Sequence, residues 1–399
     1  MTFADRHVVL GVTGGIAAYK SCTLVRRLVE AGARVDVILT RGAAEFVRPL
    51  TFEALSGRPV LTDLWAPDAA LSHVRLGQEA DLIVVAPATA HLIARVAHGL
   101  ADDLLTSLLL ARTAPLLIAP AMNDAMYAAP PTQANLATLR THGVHLVGPE
   151  VGPLAEGPSD RPGRMSEPET IVDHAARLLH GIGPLSGRRV VVTAGATREP
   201  LDPVRVVTNR SSGRMGFRLA EAAWRRGAEV HLITGPSAEP PPTGVTLERI
   251  TTTAELRDAV ALALPTADVL IMAAAPADYR AAQPADRKRP RSEGTLQVDF
   301  EPTEDILLAT REARKPGAVI VGFALETGDA VTRGRAKLER KDLDIIVVND
   351  ALEPGAGFEV ETNRVTLVDR TGQVTEVPLA SKREVAHAIL AAVEERLVR

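Results

Sequence analysis

A glycine-rich stretch near the start of the chain has the composition of a phosphate-binding loop. It reads GVTGGIAAYK over Gly11–Lys20 and joins a predicted strand to a predicted helix. Small residues allow the backbone to approach a phosphate, and a helix N-terminus supplies unpaired N–H groups and a positive dipole. The spacing of the glycines is not that of the dinucleotide fingerprint. The stretch therefore indicates a phosphate site, with a tight turn that binds nothing as the alternative.

A second stretch of the same kind opens the other half of the chain. Val192–Gly216 places a glycine turn after a strand and then hydroxyl, amide and arginine donors before a helix. Such donors suit phosphate groups. Farther on, Ala281–Gly294 contains Arg287, Lys288, Arg289 and Arg291 without helical or strand periodicity. This basic run is either a solvated loop or a lid that binds anionic substrates.

The elements around these stretches predict parallel α/β sheets, because short β-branched runs alternate with longer helical patterns. The near-continuous apolar runs are typical of strands covered on both faces. In the first half, the predicted strands are His7–Val12, Arg34–Leu39, Leu82–Ala86, Leu116–Pro120 and His145–Val147, and the predicted helices are Ala17–Ala31, Thr51–Leu55, His91–Ala97, Leu104–Ala111 and Pro131–His142.

The pattern then restarts, which predicts a second domain. The strands expected there are Arg189–Ala194, Glu229–Ile233, Val269–Ala273, Val319–Phe323 and Ile345–Val348, with helices at Gly216–Arg226, Ala254–Leu264 and Asp329–Lys341. Glycine and proline interrupt both periodicities at His180–Gly187, so we expect domains over residues 1–183 and 184–399. Gly148–Pro168 has no period and is expected to form a long flap.

Composition excludes several classes of protein. The chain has 399 residues, 46% hydrophobic and 24% charged, which is typical of a globular protein of two domains. A formal net charge of -4 gives no reason to expect nucleic acid or anionic lipid as a partner. The apolar runs are too short to span a membrane, and the first strand starts too early for a signal peptide. Cys22 is the only cysteine, so we expect a cytoplasmic protein without a disulfide.

The ordered motifs of residues 5–180 closely resemble the flavin-dependent phosphopantothenoylcysteine decarboxylase family. Its small-residue loop appears as Gly11–Lys20, and its other motifs follow in order at Ser72-His73, Pro87–Ala90, Ala101–Leu105 and Pro120–Asn123. The resemblance implies a flavodoxin-like domain that binds FMN. The FMN contacts that it implies are Gly14, Gly15, Ile16, Thr40, Ala86, Pro87, Ala88, Thr89 and Ser107.

The same resemblance makes His73 the catalytic base and Asn123 the group that holds the substrate carboxylate. A histidine titrates near neutral pH and so suits proton transfer. An uncharged amide can orient a carboxylate without stabilising it against loss of carbon dioxide. Met122 lines the substrate pocket by the same comparison. The implied reaction uses FMN to oxidise the cysteine moiety transiently, which lets carbon dioxide leave.

The flap departs from this family at one position. Where the family has Leu-Ala-Cys-Gly, this chain has Leu154–Gly157 with Glu156 in place of the cysteine that donates a proton. Either an apolar pocket raises the pKa of Glu156 so that it replaces this acid, or Glu156 is an exposed flap residue. The Gly-Arg-Met that follows supplies Arg164 and Met165 as substrate contacts, and we expect Arg164 to bind the substrate phosphate.

The second half is similar to phosphopantothenoylcysteine synthetase, which is commonly fused behind the flavin domain. The resemblance implies a Rossmann-like ligase domain that uses CTP and Mg²⁺ to join 4'-phosphopantothenate to cysteine through an acyl-cytidylate. Asn209 holds that intermediate by this comparison. The other implied substrate contacts are Gly195, Ala274, Ala275, Asp278, Phe323, Lys337 and Lys341, although a solvated helix face is an equal alternative for the two lysines.

A second departure lies in the basic run. The family's lid has a catalytic lysine, and the ungapped register puts Pro290 at its position. Lys288 or Arg289 is the candidate replacement, although arginine and lysine are not equivalent in proton transfer.

The whole chain thus resembles the bifunctional decarboxylase/synthetase, and three hypotheses follow. The first is a working bifunctional enzyme that acts on small molecules and assembles as a homo-oligomer. That assembly would have a trimer-based flavin core, with a dodecamer as its larger form, and dimeric ligase domains. The second is a regulatory or binding protein that has lost one or both activities, as Glu156 and Pro290 would suggest. The third, an NAD-linked oxidoreductase, is disfavoured because the dinucleotide fingerprint is absent.

Overall fold

The computed structural model describes residues 3–66, 71–288, 294–326, 330–350 and 360–398. The chain separates into two compact units, Met1–His180 and Gly181–Arg399. None of the helices in the described ranges is both long enough and apolar enough to cross a membrane.

The first unit is built on a five-stranded parallel sheet in the order β2-β1-β3-β4-β5. Its strands are β1 His7–Val12, β2 Arg34–Leu39, β3 Leu82–Ala88, β4 Leu116–Pro120 and β5 His145–Leu146. The first four are almost wholly buried, as expected for strands with helices on both faces. The helices are α1 Ala18–Glu30, α2 Arg41–Ala44, α3 Pro49–Ser56, α4 Ser72–Glu79, α5 Ala90–Ala97, α6 Leu104–Ala111, α7 Asp124–Ala128, α8 Pro130–Thr141 and α9 Pro168–His180.

Two hydrophobic clusters cover the two faces of this sheet. One includes Leu24 and Leu28 of α1, and the other includes Leu105 and Leu108 of α6. The strand order reverses between β1 and β3, because the chain leaves β1 for one edge strand and returns on the other side. In open parallel sheets, this switch point is where a ligand crevice forms at the carboxyl ends of the strands.

The segment that was expected to be a flap is an ordered hairpin. It pairs β6 Glu150–Val151 with β7 Pro162–Arg164 in antiparallel fashion. Between them, Leu154 and Gly157 exchange backbone hydrogen bonds of 2.8 and 3.1 Å, which closes a tight turn around Glu156. The Met122 N–H donates to the Gly163 carbonyl at 3.0 Å, so the hairpin is fastened to the loop that follows β4.

The second unit has an eight-stranded sheet in the order β12-β11-β8-β13-β16-β17-β18-β19, parallel except for its last two strands. Two small hairpins, β9 with β10 and β14 with β15, lie outside it. The strands are β8 Arg189–Ala194, β9 Arg198–Pro200, β10 Val206–Thr208, β11 Glu229–Thr234, β12 Thr246–Arg249, β13 Val269–Met272, β14 Tyr279–Ala281, β15 Phe300–Pro302, β16 Val319–Glu326, β17 Ile345–Asp350, β18 Thr362–Asp369 and β19 Val374–Ser381. The helices are α10 Arg214–Arg225, α11 Thr253–Ala263, α12 Ile306–Ala309, α13 Ala330–Lys341 and α14 Lys382–Val398.

The predicted fold class is confirmed, since both units carry parallel sheets with helices on their faces. All ten predicted strands are present, most within one or two residues of their expected ends. The prediction omitted the edge strand β12, the antiparallel edge β18–β19, the helices α2, α4, α7, α9, α12 and α14, and the strands of the small hairpins.

Candidate functional site

A cavity of about 860 Å³ lies at the carboxyl edge of the first sheet. Four loops build it, each starting where β1, β2, β3 or β4 ends, and the flap hairpin forms a further wall. It therefore occupies the switch point of the fold. Of the residues predicted to act in this half, those that line it are Gly14, Gly15, Ile16, Thr40, Thr89, Met122, Asn123, Glu156, Arg164 and Met165.

The side-chain oxygens of three threonines hold the loops of this cavity in place. Thr40 and Thr89 cap α2 and α5 with their side-chain oxygens, at 3.3 and 3.4 Å from the backbone N–H groups of Ala43 and Leu92. Thr13 donates from Oγ1 to the Pro87 carbonyl at 2.7 Å and accepts from the Thr89 N–H at 3.1 Å. The ends of β1 and β3 are thereby held together without a ligand.

The glycine loop has the shape of a phosphate cradle. A Cβ on Gly14 would lie 2.8 Å from the carbonyl carbon of Gly42, so only glycine allows the two loops to touch. The helix that follows, α1, has no side-chain cap at Ala17, and its first turn faces the cavity. A close backbone approach beside the N-terminus of a helix fits the phosphate of a flavin nucleotide.

Asn123 and Glu156 lie next to each other in this cavity. The Asn123 side-chain oxygen accepts from the N–H groups of Ala125 at 2.9 Å and Met126 at 3.4 Å, which caps α7 and fixes the amide. Its Nδ2 is left to donate, and Glu156 Oε1 accepts from it at 3.4 Å. Glu156 is exposed in this position of the flap. A carboxyl on the substrate would compete with Glu156 for the same amide.

Arg164 does not contact Glu156. Its Nη2 donates to Glu167 Oε1, and Lys20 Nζ donates to the same oxygen at 2.9 Å and to the Met165 carbonyl at 3.2 Å. Lys20 is buried. The sequence pattern predicted no role for it beyond the end of the glycine-rich stretch. Lys20 of α1 and Arg164 of the flap hairpin bind the same carboxylate, so Glu167 links α1 to the end of the flap.

Four of the predicted flavin contacts lie behind the cavity wall. Ala86, Pro87 and Ala88 are buried in β3, where the Ala86 carbonyl accepts from Ser21 Oγ at 2.6 Å. Ser107 lies on α6 and donates to the Ala101 carbonyl at 3.3 Å. In this structure, none of these four residues lines the cavity. The three residues of β3 lead directly into the loop that begins at Thr89.

His73 also lies outside the cavity of its own chain. It is the second residue of α4 and is half-buried, and within the described residues its Nδ1 has no hydrogen-bond partner. Leu71, two residues earlier, is 70% exposed.

Sequence reasoning missed a charged network at the edge of the cavity. Arg95 pairs with Asp102 and with Asp103, in the latter case at 2.8 Å, and donates to Thr106 Oγ1 at 3.0 Å. Although burial acts to raise the pKa of Asp103, hydrogen bonds from Thr106 and Arg95 lower it below its usual range. Asp103 therefore stays ionised and holds Arg95 at the cavity. The Ala101–Leu105 motif contained the two aspartates, but their arginine is on the preceding helix.

A second cavity, of about 780 Å³, lies at the carboxyl edge of the second sheet. Its walls are the segment between β10 and α10, the loop after β13, the segment from β15 to α12 and the end of β16, together with α13. Asn209 donates from Nδ2 to the carbonyls of Ala275 at 3.2 Å and Pro276 at 2.9 Å, which joins the first two loops. The predicted residues that line this cavity are Asn209, Ala274, Ala275, Asp278, Phe323, Lys337 and Lys341.

Gly195 and Lys288 are the predicted residues that this cavity does not include. Gly195 has a φ of +75°, accepts from the Ala275 N–H at 2.8 Å and lies against Gly213, so it shapes two of the loops from behind. Lys288 is exposed at the end of a described loop. Arg289, Pro290 and Arg291 lie outside the described residues.

No preformed metal site accompanies either cavity in the described part of the chain, where no group of three or more His, Cys, Asp or Glu side chains could hold an ion. The acidic side chains nearest to the second cavity are Asp278, Glu304 and Asp305, and Lys341 Nζ pairs with Asp305 Oδ2 at 3.0 Å.

Comparison with known proteins agrees with the two-part organisation. The Flavoprotein family matches residues 2–180, and the DNA/pantothenate metabolism flavoprotein C-terminal domain matches residues 185–397, slightly more than half of the chain. Proteins named "Coenzyme A biosynthesis bifunctional protein CoaBC" are similar over nearly the full length. The one from Mycobacterium bovis is 47% identical over 97% of this chain and 96% of its own length.

Two further relatives of that name come from distant bacteria. The Vibrio cholerae protein is 44% identical over 99% of this chain and all of its own length. The Bacillus subtilis protein is 44% identical over 97% of this chain and 96% of its own length. The predicted family is therefore confirmed: this chain belongs to the family of bifunctional coenzyme A biosynthesis proteins, in which a flavoprotein domain precedes a pantothenate-metabolism ligase domain.

Proposed function

We propose that the two cavities catalyse consecutive steps of coenzyme A biosynthesis. In the second unit, 4'-phosphopantothenate is joined to cysteine with CTP, and in the first unit the product is decarboxylated to 4'-phosphopantetheine with FMN. The observation that carries this proposal is that each cavity lies at the strand ends of its sheet and is lined by most of the residues expected for its reaction. We further propose that these steps take place in the cytoplasm.

In the first cavity, we assign the glycine loop and the start of α1 to the phosphate of FMN. The close approach of Gly14 to Gly42 and the uncapped helix support this assignment. The bound flavin supplies a transient oxidation of the cysteine moiety and the later return of the electrons. The protein holds the substrate, excludes water and moves protons around it.

We assign Asn123 to the orientation of the substrate carboxyl; the cap on α7, which leaves its amide N–H group free to donate, supports this assignment. In the free enzyme, Glu156 accepts from this amide. Arrival of the substrate carboxylate would displace Glu156, because two carboxylates at one amide repel each other. The displaced Glu156 is our candidate for the acid of the last step.

We propose that His73 serves the cavity of a neighbouring subunit in a homo-oligomer. His73 is absent from the cavity of its own chain, and the exposed Leu71 beside it supports a subunit contact at this surface. A head-to-tail interface repeated around a closed ring would give every cavity one such histidine. A trimer is the smallest closed head-to-tail ring, because a symmetric dimer has a two-fold interface instead.

In the second cavity, the carboxylate of 4'-phosphopantothenate attacks the α-phosphorus of CTP and pyrophosphate leaves. The amino group of cysteine then attacks the acyl carbon and CMP leaves. We assign Asn209 to the acyl-cytidylate and Lys337 and Lys341 to phosphate groups, with Mg²⁺ entering on the triphosphate. Lys288 remains our candidate for the lid lysine.

The glycine cradle gives a direct test of the flavin site in the full-length protein. Gly14→Ala places a methyl group 2.8 Å from the Gly42 backbone, so the loops must separate and FMN affinity should fall at least about tenfold. Gly183→Ala is the control, since a Cβ there comes no closer than 3.9 Å to Glu394. The flavin absorbance of the purified proteins measures the effect. Equal flavin content in the two variants would show that the glycine loop does not contribute to FMN binding.

A further inference from the structure

Three charged side chains meet at one wall of the first cavity. Lys20 of α1 and Arg164 of the flap hairpin both line this cavity, and both donate to Glu167 Oε1, Lys20 at 2.9 Å. Because two cations share one carboxylate oxygen, this group of three carries one positive charge in excess. A wall with excess positive charge attracts an anionic part of a ligand.

The two cations are held to different degrees. Lys20 has a side chain that is 10% exposed, and its Nζ donates to a second acceptor, the carbonyl of the buried Met165, at 3.2 Å. Arg164 has a side chain that is 34% exposed and pairs with Glu167. Within the described residues, its neighbour across the hairpin, Glu150, forms no ion pair with it. Since exposed ion pairs are weak, Arg164 is the cation that can exchange Glu167 for another anion, whereas Lys20 is fixed.

The flap keeps Arg164 at the cavity when its partner changes. The carbonyl of the preceding residue, Gly163, accepts from the Met122 N–H at 3.0 Å. A Cβ on Gly152 would lie 3.2 Å from Cδ and Nη1 of Arg164, so the side chain packs directly against the flap backbone. A guanidinium binds a phosphate through two parallel hydrogen bonds, and a phosphate monoester carries up to two negative charges near neutral pH. Arg164 is thus placed to exchange a carboxylate for a more highly charged phosphate.

We propose that Glu167 and Lys20 are positioning residues that make Arg164 selective for the phosphate of the substrate. In the free enzyme Glu167 occupies Arg164, and the phosphate of 4'-phosphopantothenoylcysteine replaces it. Lys20 stays on Glu167, so the carboxylate keeps a cationic partner after the exchange. This inference rests on the proposed function, which brings a phosphorylated substrate into this cavity. A molecule without the phosphate gains nothing from Arg164, because Glu167 continues to hold it.

Binding of the product 4'-phosphopantetheine, compared with its dephosphorylated form pantetheine, tests this exchange without turnover. The absorbance of the bound flavin reports on the first cavity of the full-length protein, separately from the second cavity. Glu167→Gln keeps the shape of the side chain and removes the competing charge. The Kd for 4'-phosphopantetheine should therefore fall about threefold, the scale of an exposed ion pair, while the Kd for pantetheine should not change.

Lys20→Met should have the opposite effect on the same Kd. Glu167 then has Arg164 as its remaining cation and holds it more tightly, so the Kd for 4'-phosphopantetheine should rise about tenfold, the scale of one hydrogen bond to a charged group. The Kd for pantetheine should again stay unchanged. A merely structural role of the two residues would not move the Kd in opposite directions, nor for the phosphorylated compound alone. The flavin content of each variant is measured alongside.

The matched control is Glu169→Gln, since Glu169 is an exposed carboxylate two residues farther along that pairs with Arg27 and does not line the cavity. It should bind both compounds as the wild type does. An unchanged or raised Kd for 4'-phosphopantetheine in Glu167→Gln, or an equal change for pantetheine, would overturn the proposal, whether or not Lys20→Met folds. A wild-type protein that shows the expected binding but does not decarboxylate 4'-phosphopantothenoylcysteine would contradict the proposed function alone.

Discussion

Replacement of His73 by asparagine is expected to lower carbon dioxide release about 1000-fold while FMN stays bound, because general base catalysis contributes on this scale. In our proposal His73 moves protons and does not hold the cofactor, so its loss should leave FMN bound. Release of carbon dioxide from purified 4'-phosphopantothenoylcysteine measures the effect, and flavin absorbance is the control. A rate within a few-fold of the wild type would remove His73 from the reaction.

The proposed sharing of the cavity between subunits can be tested with two inactive variants. Asn123→Asp should also be inactive, because a second carboxylate repels that of the substrate. If His73 and Asn123 of one site come from different subunits, co-expressed variants should regain activity, with about a quarter of the sites intact in random head-to-tail rings. If both residues act within one chain, the mixture stays inactive.

Replacement of Glu156 by glutamine should separate the two halves of the decarboxylation. Glutamine can still accept from Asn123 but cannot donate a proton as an acid. In a single anaerobic turnover, carbon dioxide should therefore be released while the unsaturated enethiol accumulates in an amount equal to the flavin that stays reduced. Formation of the saturated thiol should fall about 100-fold. Mass spectrometry distinguishes the two products by the two hydrogen atoms that separate them.

The matched control for this experiment is Asp160→Asn, which removes an exposed carboxylate from the same flap but outside the cavity. It should form 4'-phosphopantetheine at the wild-type rate. A normal yield from Glu156→Gln would show that Glu156 is only a flap residue, and that the proton of the last step comes from another group or from water.

The parts of both sites that follow parallel strands could be predicted from the sequence. Thr40, Thr89 and Asn123 each come immediately or shortly after a buried strand, and the carboxyl ends of adjacent parallel strands meet at one edge. Ala275 likewise follows the buried strand β13, and a hydrogen bond of 3.2 Å joins it to Asn209, which follows the small hairpin β9–β10. A continuous hydrophobic run is enough to predict such a strand, so the position of its carboxyl end can be predicted from the sequence.

The remaining residues depend on contacts that local patterns do not contain. Arg164 was expected to bind the substrate phosphate, but in this structure it pairs with Glu167, a contact that depends on how the flap docks. Lys382, which also lines the second cavity, follows an antiparallel edge hairpin whose strands bury mainly one face and therefore lack a continuous apolar run. The position of His73 outside its own cavity follows from the tertiary packing of α4.

The most direct test of the two-step function uses the purified full-length protein with 4'-phosphopantothenate, cysteine, CTP and Mg²⁺. Stepwise omission of each reactant shows which step needs it. We expect a yellow protein that forms 4'-phosphopantetheine, releases pyrophosphate and CMP in equal amounts, and stops at 4'-phosphopantothenoylcysteine when His73→Asn replaces the wild type. A flavin-loaded protein that forms neither 4'-phosphopantothenoylcysteine nor 4'-phosphopantetheine under these conditions would contradict the function proposed for both cavities.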